Sequence, residues 1–129
     1  MKLIALLFLS VLMGGVVFAD QTASIAEDRQ VEALQKFCDE GDAKMCFILG
    51  VNYKYGDFPF KQDYFKAAEL YRRACDGGEA GGCWGLAWFY QYGKGVRQSK
   101  TEALKFYGKA CDLKDQDGCD AYAKLNTSK

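Results

Sequence analysis

The chain has 129 residues, with 17 basic and 17 acidic side chains, a formal charge of zero and no histidine. Its lysines are interspersed with acids, whereas a nucleic-acid binder of this size needs a basic stripe that neutralises phosphates. Nucleic acid is therefore not an expected partner, and the lack of histidine disfavours a zinc site.

Residues 1–19 are predicted to be a signal peptide. Lys2 precedes the apolar run Leu3 to Leu12, and Val17-Phe18-Ala19 has the small-residue pattern of a cleavage site. Because the apolar run is short for a membrane-spanning helix, cleavage after Ala19 is favoured over a membrane anchor. The mature domain, residues 20–129, is then secreted or periplasmic, with no membrane attachment.

The mature part contains six cysteines in three pairs. Seven residues separate the members of each pair, and the pairs recur every 36 or 37 positions. A fixed period in this range indicates small supersecondary units that stack on one another. Export permits disulfides, and because each pair brackets the same short segment, local pairing is favoured over the other connectivities. The predicted bridges are Cys38 to Cys46, Cys75 to Cys83 and Cys111 to Cys119.

Two other roles for the cysteines are less consistent with the sequence. Zinc clusters usually have short Cys-x-x-Cys turns and often histidine ligands. A redox-active pair needs a reactive thiol, for which the sequence gives no sign. We therefore expect structural disulfides, no metal and no cofactor.

Two segment types repeat along the chain and predict helices. Ala43 to Gly56 aligns with Ala80 to Gly93 and defines helix A; Ala67 to Asp76 aligns with Ala103 to Asp112 and defines helix B. Apolar residues recur at three- and four-residue steps, and a closing glycine can cap each A helix. Ser99-Lys100-Thr101-Glu102 fits a capping box at the second B helix, and Ser24 begins a similar motif.

The helices predict an all-α array of six members. A lone B-type helix forms a half repeat at 24–39, full repeats cover 43–76 and 80–112, and an A-type half repeat covers 117–126. Each predicted bridge joins the end of a B helix to the first turn of the next A helix. The disulfides would therefore staple neighbouring repeats and fix the angle between them.

Two segments carry a family resemblance: Leu86 to Val96 (LAWFYQYGKGV) and Ala103 to Cys111 (ALKFYGKAC). They resemble the Sel-1-like repeat, a relative of the TPR repeat. With the cysteine pairs and signal peptide, the chain is similar to the Helicobacter cysteine-rich protein family. The resemblance implies a right-handed α-solenoid superhelix, secretion, roles in binding and host interaction, and penicillin binding with weak β-lactamase activity.

The residues give that catalytic implication no support. Ser24 and Ser99 head Ser-Ile-Ala-Glu and Ser-Lys-Thr-Glu rather than Ser-x-x-Lys, and Glu102 follows Lys100-Thr101 where a lactamase has glycine. The cysteines are expected to be oxidised and so are poor nucleophiles. No catalytic residue is predicted, and the β-lactamase alternative depends on the resemblance alone.

A stripe of aromatic residues is the better candidate for a binding site. Trp84 and Trp88 stand four residues apart on the second A helix, in register with Phe47 and Val51 on the first. Packing between repeats is the commoner role of such a stripe, and ligand contact is the alternative.

Polar residues near the stripe are weaker candidates. Asn52 and Gln91, near the ends of the A helices, could present amides on a concave surface, with simple solvation as the alternative. The runs 71–73 and 114–117 are expected to face water. The predicted function is a monomeric interaction module for a peptide, a peptidoglycan fragment or a host protein, with β-lactams as further ligands only through the resemblance.

Overall fold

The computed structural model describes residues 25–129, in which all regular structure is helical. The chain divides into two units, Met1–Glu32 and Ala33–Lys129, and the contacts and cavities described below belong to the second. The predicted signal peptide and the Ser24 motif lie outside the described residues. Among the described helices, none has both the length and the apolar content to cross a bilayer.

Six helices follow one another with short connections. The first, α1, covers residues 25–39. The others are α2 (Ala43–Tyr55), α3 (Tyr64–Asp76), α4 (Ala80–Tyr92), α5 (Lys100–Asp112) and α6 (Gln116–Thr127). From α2 onward each helix packs on the next, and α4 also touches α6. The predicted all-α, disulfide-stapled repeat fold is confirmed; the B helices, α3 and α5, begin three residues before the repeated segments.

The connection from helix A to helix B is built in the same way in both repeats. Ser99 Oγ accepts a hydrogen bond from the Glu102 amide (3.2 Å), and the Ser99 amide donates to the Tyr90 carbonyl (2.9 Å). The predicted capping box is thus only half formed, because a backbone carbonyl takes the place of the Glu102 carboxylate. Asp63 makes the equivalent two bonds before α3. The loop 56–63 is one residue longer than the loop 93–99, and the junction with the B helix is the same in both.

The connection from helix B to helix A is a disulfide-bridged turn that occurs three times. The Cα atoms are 4.6 Å apart in one bridge and 4.5 Å apart in the other two, and no cysteine is free. Each turn contains one residue with positive φ: Gly41, Gly78 and Lys114. The bridges are Cys38–Cys46, Cys75–Cys83 and Cys111–Cys119, so each staples a B-type helix to the A helix that follows.

The Tyr71 ring packs between the two successive A helices α2 and α4. Its side chain is only 2% exposed, and a Cβ atom on either Gly50 of α2 or Gly85 of α4 would lie 2.8 Å from the ring. Both glycines are therefore needed for the ring to fit. The prediction that the run 71–73 faces water is wrong for Tyr71, because this position is the repeat's inward-facing aromatic. Arg73 of the same run forms a salt bridge with Asp39 (3.0 Å).

Candidate binding groove

Two neighbouring cavities lie along the A helices, and we call them together the groove. The first has a volume of about 590 Å³ and the second about 360 Å³. The first is lined mainly by α2, α4 and the start of α6, and the second by α4, α5 and α6. Trp84 lines both cavities, so the two share one wall.

The predicted aromatic stripe forms the apolar lining of the groove. Phe47, Val51 and Trp84 line the first cavity, and Trp88 lines the second. All four are partly buried and pack against the main core cluster. The structure therefore gives the stripe a packing role on its inner side and leaves its outer side open to the groove.

Trp84 has an unusual polar atom. Its indole Nε1 is buried and has no hydrogen-bond partner among the described residues. The ring meets Tyr107 edge-on, with the ring centroids 6.1 Å apart. Buried N–H groups normally have partners, so an unpartnered one next to two cavities requires an explanation.

Of the two predicted amides, only Gln91 belongs to the groove. Its Oε1 accepts a hydrogen bond from the Tyr107 hydroxyl (2.7 Å), and it lines the second cavity. Burial, with a smaller contribution from Tyr92, raises the pKa of Tyr107 to about 12, so the hydroxyl remains a donor at neutral pH. Asn52 lines neither cavity; its backbone carbonyl accepts from Gly56 and Asp57 at the end of α2.

Charged residues at the groove were missed by the sequence analysis. The first cavity is lined by Glu79, by Lys54 and by three members of the run 114–117, namely Lys114, Asp115 and Asp117. Lys114 and Asp117 are exposed to water, as predicted for this run, whereas Asp115 is partly buried. These residues could have been identified from their position in the sequence between the paired cysteines, because the bridged turns form the edge of the groove.

Lys54 lies against the aromatic lining. Its Nζ is 4.6 Å from the ring centroid of Trp88 and 5.0 Å from that of Tyr55. A cation over an indole face is held by the ring quadrupole. Lys54 therefore contributes a positive charge near the last turn of α2, where the tryptophan ring restrains it.

Among the described residues, no serine or cysteine that lines the groove is paired with a general base. Ser128 lines the second cavity, but its hydroxyl donates to the Leu125 carbonyl (2.8 Å), so its proton points at a backbone oxygen and not at a base. Within residues 25–129 no three His, Cys, Asp or Glu side chains are arranged to hold a metal ion. What the groove offers is an aromatic surface, an amide and charged residues.

Comparison with known proteins agrees with the fold. The family model of the Sel1 repeat matches residues 43–79 and 80–115. The solved structure of Helicobacter pylori cysteine rich protein B is similar with a TM-score of 0.69 and 33% identity, covering 73% of this chain and 70% of that one. A Sel1 repeat protein from Oxalobacter formigenes gives a TM-score of 0.67 and 27% identity, covering 74% and 71%.

A curated relative matches a shorter stretch. An uncharacterized protein of Haemophilus influenzae is 48% identical over 31 residues, which are 24% of this chain and 60% of that protein. The chain thus matches less than two thirds of that relative's length. The two repeat matches together cover more than half of the chain, and the chain therefore belongs to the Sel1 repeat family and is related to the Helicobacter cysteine-rich proteins.

Proposed function

We propose that this chain is an exported interaction module whose groove binds an extended peptide, a peptidoglycan fragment or a segment of a host protein. The observation that supports this most strongly is the shared wall of the groove: Trp84 lines both cavities, with Phe47 and Trp88 beside it. Cavities of roughly 300–1,000 Å³ with apolar walls and a few polar groups are typical of ligand sites.

Export is part of the proposal for two reasons. Three disulfides with no free thiol are characteristic of an oxidising compartment such as the periplasm or the exterior. The predicted signal peptide at residues 1–19 would deliver the chain there. Lactam hydrolysis is not included in the proposal, because neither cavity presents an activated nucleophile among the described residues.

The tryptophans themselves provide the test. The chain has two tryptophans, and both line the groove, so intrinsic emission reports directly on its occupancy. Titration with a blocked-peptide mixture and with a peptidoglycan digest is expected to shift the emission in at least one case. Trp88→Ala should weaken that binding by at least about 1 kcal/mol, as for a residue that contributes to an interface.

The control is an aromatic residue outside the groove. Phe65 is 78% exposed on α3 and lines neither cavity, so Phe65→Ala should leave the affinity unchanged. Binding that Trp88→Ala leaves unchanged, or that is lost equally in Phe65→Ala, would place the site elsewhere and contradict the proposal.

A further inference from the structure

Within the proposed function, the geometry points to the chemistry of the occupant. We infer that the groove holds an extended peptide with a basic side chain, lysine or arginine, seated beside Glu79, Asp115 and Asp117. The inference rests on the proposed function, because it assigns a ligand class to the same groove.

The three carboxylates have no partner that accounts for them. Glu79 and Asp115 occupy the N-cap positions of α4 and α6, yet neither side chain makes a capping hydrogen bond. The equivalent Asp42 does cap α2 through its Oδ1 (3.1 Å). None of the three is in a salt bridge within residues 25–129. All three line the first cavity, whose wall also includes Lys54, Lys114 and the apolar side chains of Phe47, Val51 and Trp84.

The carboxylates suit an organic cation better than a metal ion. They are not arranged as a metal-binding cluster. A divalent ion needs several oxygen ligands converging at about 2–2.5 Å. A lysine or arginine side chain needs only charge beside its head group and an apolar surface along its stem, and Phe47 and Trp84 supply that surface in the same cavity. Guanidinium and ammonium groups also bind aromatic faces favourably.

The charges around the groove differ between its parts. The first cavity has the carboxylates at the starts of α4 and α6 and Lys114 in the turn between α5 and α6. Lys54 belongs to the last turn of α2, where the Trp88 and Tyr55 rings hold it. Lys54 also lines the first cavity, with its Nζ against the Trp88 ring at 4.6 Å from the centroid. Against the three carboxylates, the two lysines leave one net negative charge in the lining of this cavity.

The continuity of the groove supports a peptide as the carrier of that cation. Trp84 forms the wall between the two cavities, so an extended backbone can cross from one cavity to the other while one of its side chains lies beside the carboxylates. The Trp84 ring offers this backbone an apolar surface, whereas its Nε1 is buried and does not take part.

The experiment is selection from a library of blocked heptapeptides with all positions randomised. Full-length oxidised protein is immobilised at low salt, and the retained peptides are sequenced by mass spectrometry. The first variant is Glu79→Gln/Asp115→Asn/Asp117→Asn, which keeps side-chain shape and removes three charges. The control is Glu69→Gln/Asp76→Asn/Asp112→Asn, which removes three charges from exposed positions on α3 and α5 that lie outside the groove.

We expect peptides retained by the wild type and the control to be enriched in lysine or arginine by about fivefold, the scale of a partly exposed ion pair. The enrichment should fall in the groove variant and at high salt. Retained peptides that lack this bias, or an unchanged bias in the groove variant, would overturn the inference and leave the proposed function standing. Failure to retain any peptide would contradict this inference, while binding of a peptidoglycan digest would still support the proposed function.

Discussion

The three bridged turns have the same backbone conformation at one equivalent residue. Gly41 and Gly78 have φ values of 100° and 89°, which glycine adopts at little cost. Lys114 occupies the third equivalent position with φ 69°, where a side chain crowds the backbone. The last turn therefore departs from the repeat pattern, and it does so at a residue that also lines the first cavity.

Lys114→Gly is expected to stabilise the protein. Relief of a left-handed backbone is worth roughly 1–2 kcal/mol, and the greater freedom of glycine in the unfolded chain offsets about half of it. The free energy of unfolding, from denaturant titration of the oxidised protein, should rise by about 0.5–1 kcal/mol. The reverse change, Gly78→Ala, should lower it by about 1 kcal/mol, and a stabilising Gly78→Ala would contradict the account of the turn.

The two inward-facing tyrosines predict a loss of stability at high pH. Burial, with a smaller effect of Tyr55, raises the pKa of Tyr71 above its usual value, and burial raises the pKa of Tyr107 to about 12. In the unfolded chain a tyrosine ionises near pH 10, so above that pH the unfolded state binds fewer protons and unfolding is favoured. The stability contribution is complete below about pH 10 and should fall as the pH rises toward 12.

Denaturant titrations between pH 9 and pH 11 measure this slope. Tyr71→Phe keeps the ring between Gly50 and Gly85 but removes the ionisable hydroxyl. It should therefore make the alkaline loss of stability shallower than in the wild type. An identical slope in both proteins would show that Tyr71 does not ionise differently in the two states.

At the scale of helices, small residues determine how closely neighbours approach. A Cβ on Gly82 would lie 2.6 Å from Ala74 Cβ and 2.8 Å from the Tyr71 carbonyl oxygen, and Gly118 meets Ala110 in the same way. Both glycines lie in the first turn of an A helix, beside the bridge to the preceding B helix. The Cα atoms of the bridged cysteines lie only 4.5 Å apart because the backbones of the two helices are almost in contact.

Two glycine-to-alanine changes within helices should have opposite effects. Gly82→Ala forces atoms apart at a packed junction and should destabilise the protein by about 1–3 kcal/mol. Gly108→Ala places its Cβ 3.6 Å from the Tyr122 ring, an ordinary contact, and should stabilise α5 by about 0.5–1 kcal/mol through helix propensity. Thermal unfolding of both variants checks the pair, and equal effects would contradict the close approach at Gly82.

The helices could be predicted from the sequence because their determinants are local or repeated. Alignment of the two repeats located α2 to α5, and Ser99 marked the start of α5 correctly. The sequence could not show that the Ser99 amide bonds the Tyr90 carbonyl, because that contact depends on how the loop closes. It also could not place Tyr71 in the core, because the adjacent Arg72 and Arg73 make the run appear polar.

The groove was predictable only in part, because some of its residues are marked by a local pattern and others only by their three-dimensional contacts. Trp84 and Trp88 were identified by helical spacing, which a sequence shows directly. Asp115 is of a type common at N-caps and Glu79 is not, and only the structure shows that both side chains line a cavity without making a capping bond. Asn52 lines neither cavity, and its contact with a ligand stays a prediction.

In the repeat array as a whole, the three disulfides add to the free energy of unfolding that helix packing provides. Closing a loop of this length removes about 2.5 kcal/mol of unfolded-state freedom per bridge, and a small domain has about 5–15 kcal/mol of net stability. The bridge Cys75–Cys83 joins the two matched repeats. Its loss should therefore affect both the stability and the groove, which α2 and α4 line together.

The double variant Cys75→Ser/Cys83→Ser is expected to lower the free energy of unfolding by about 2–4 kcal/mol. It should also weaken any ligand that shifts tryptophan emission, because the first cavity depends on the spacing of α2 and α4. The corresponding Cys111→Ser/Cys119→Ser variant loosens α6 and should affect both cavities, because the start of α6 lines the first and its later turns line the second. Equal affinity in both variants and the wild type would mean that the staples do not shape the groove.

The central claim, that each B helix is bridged to the next A helix, is tested most directly by tryptic mapping of the unreduced mature protein. The account predicts a peptide 37–44 linked to 45–54, a single peptide 74–94 with an internal bond, and 110–114 linked to 115–124. Alkylation before digestion should label no cysteine. Links between peptides of different pairs, or alkylated cysteines in the native protein, would contradict it.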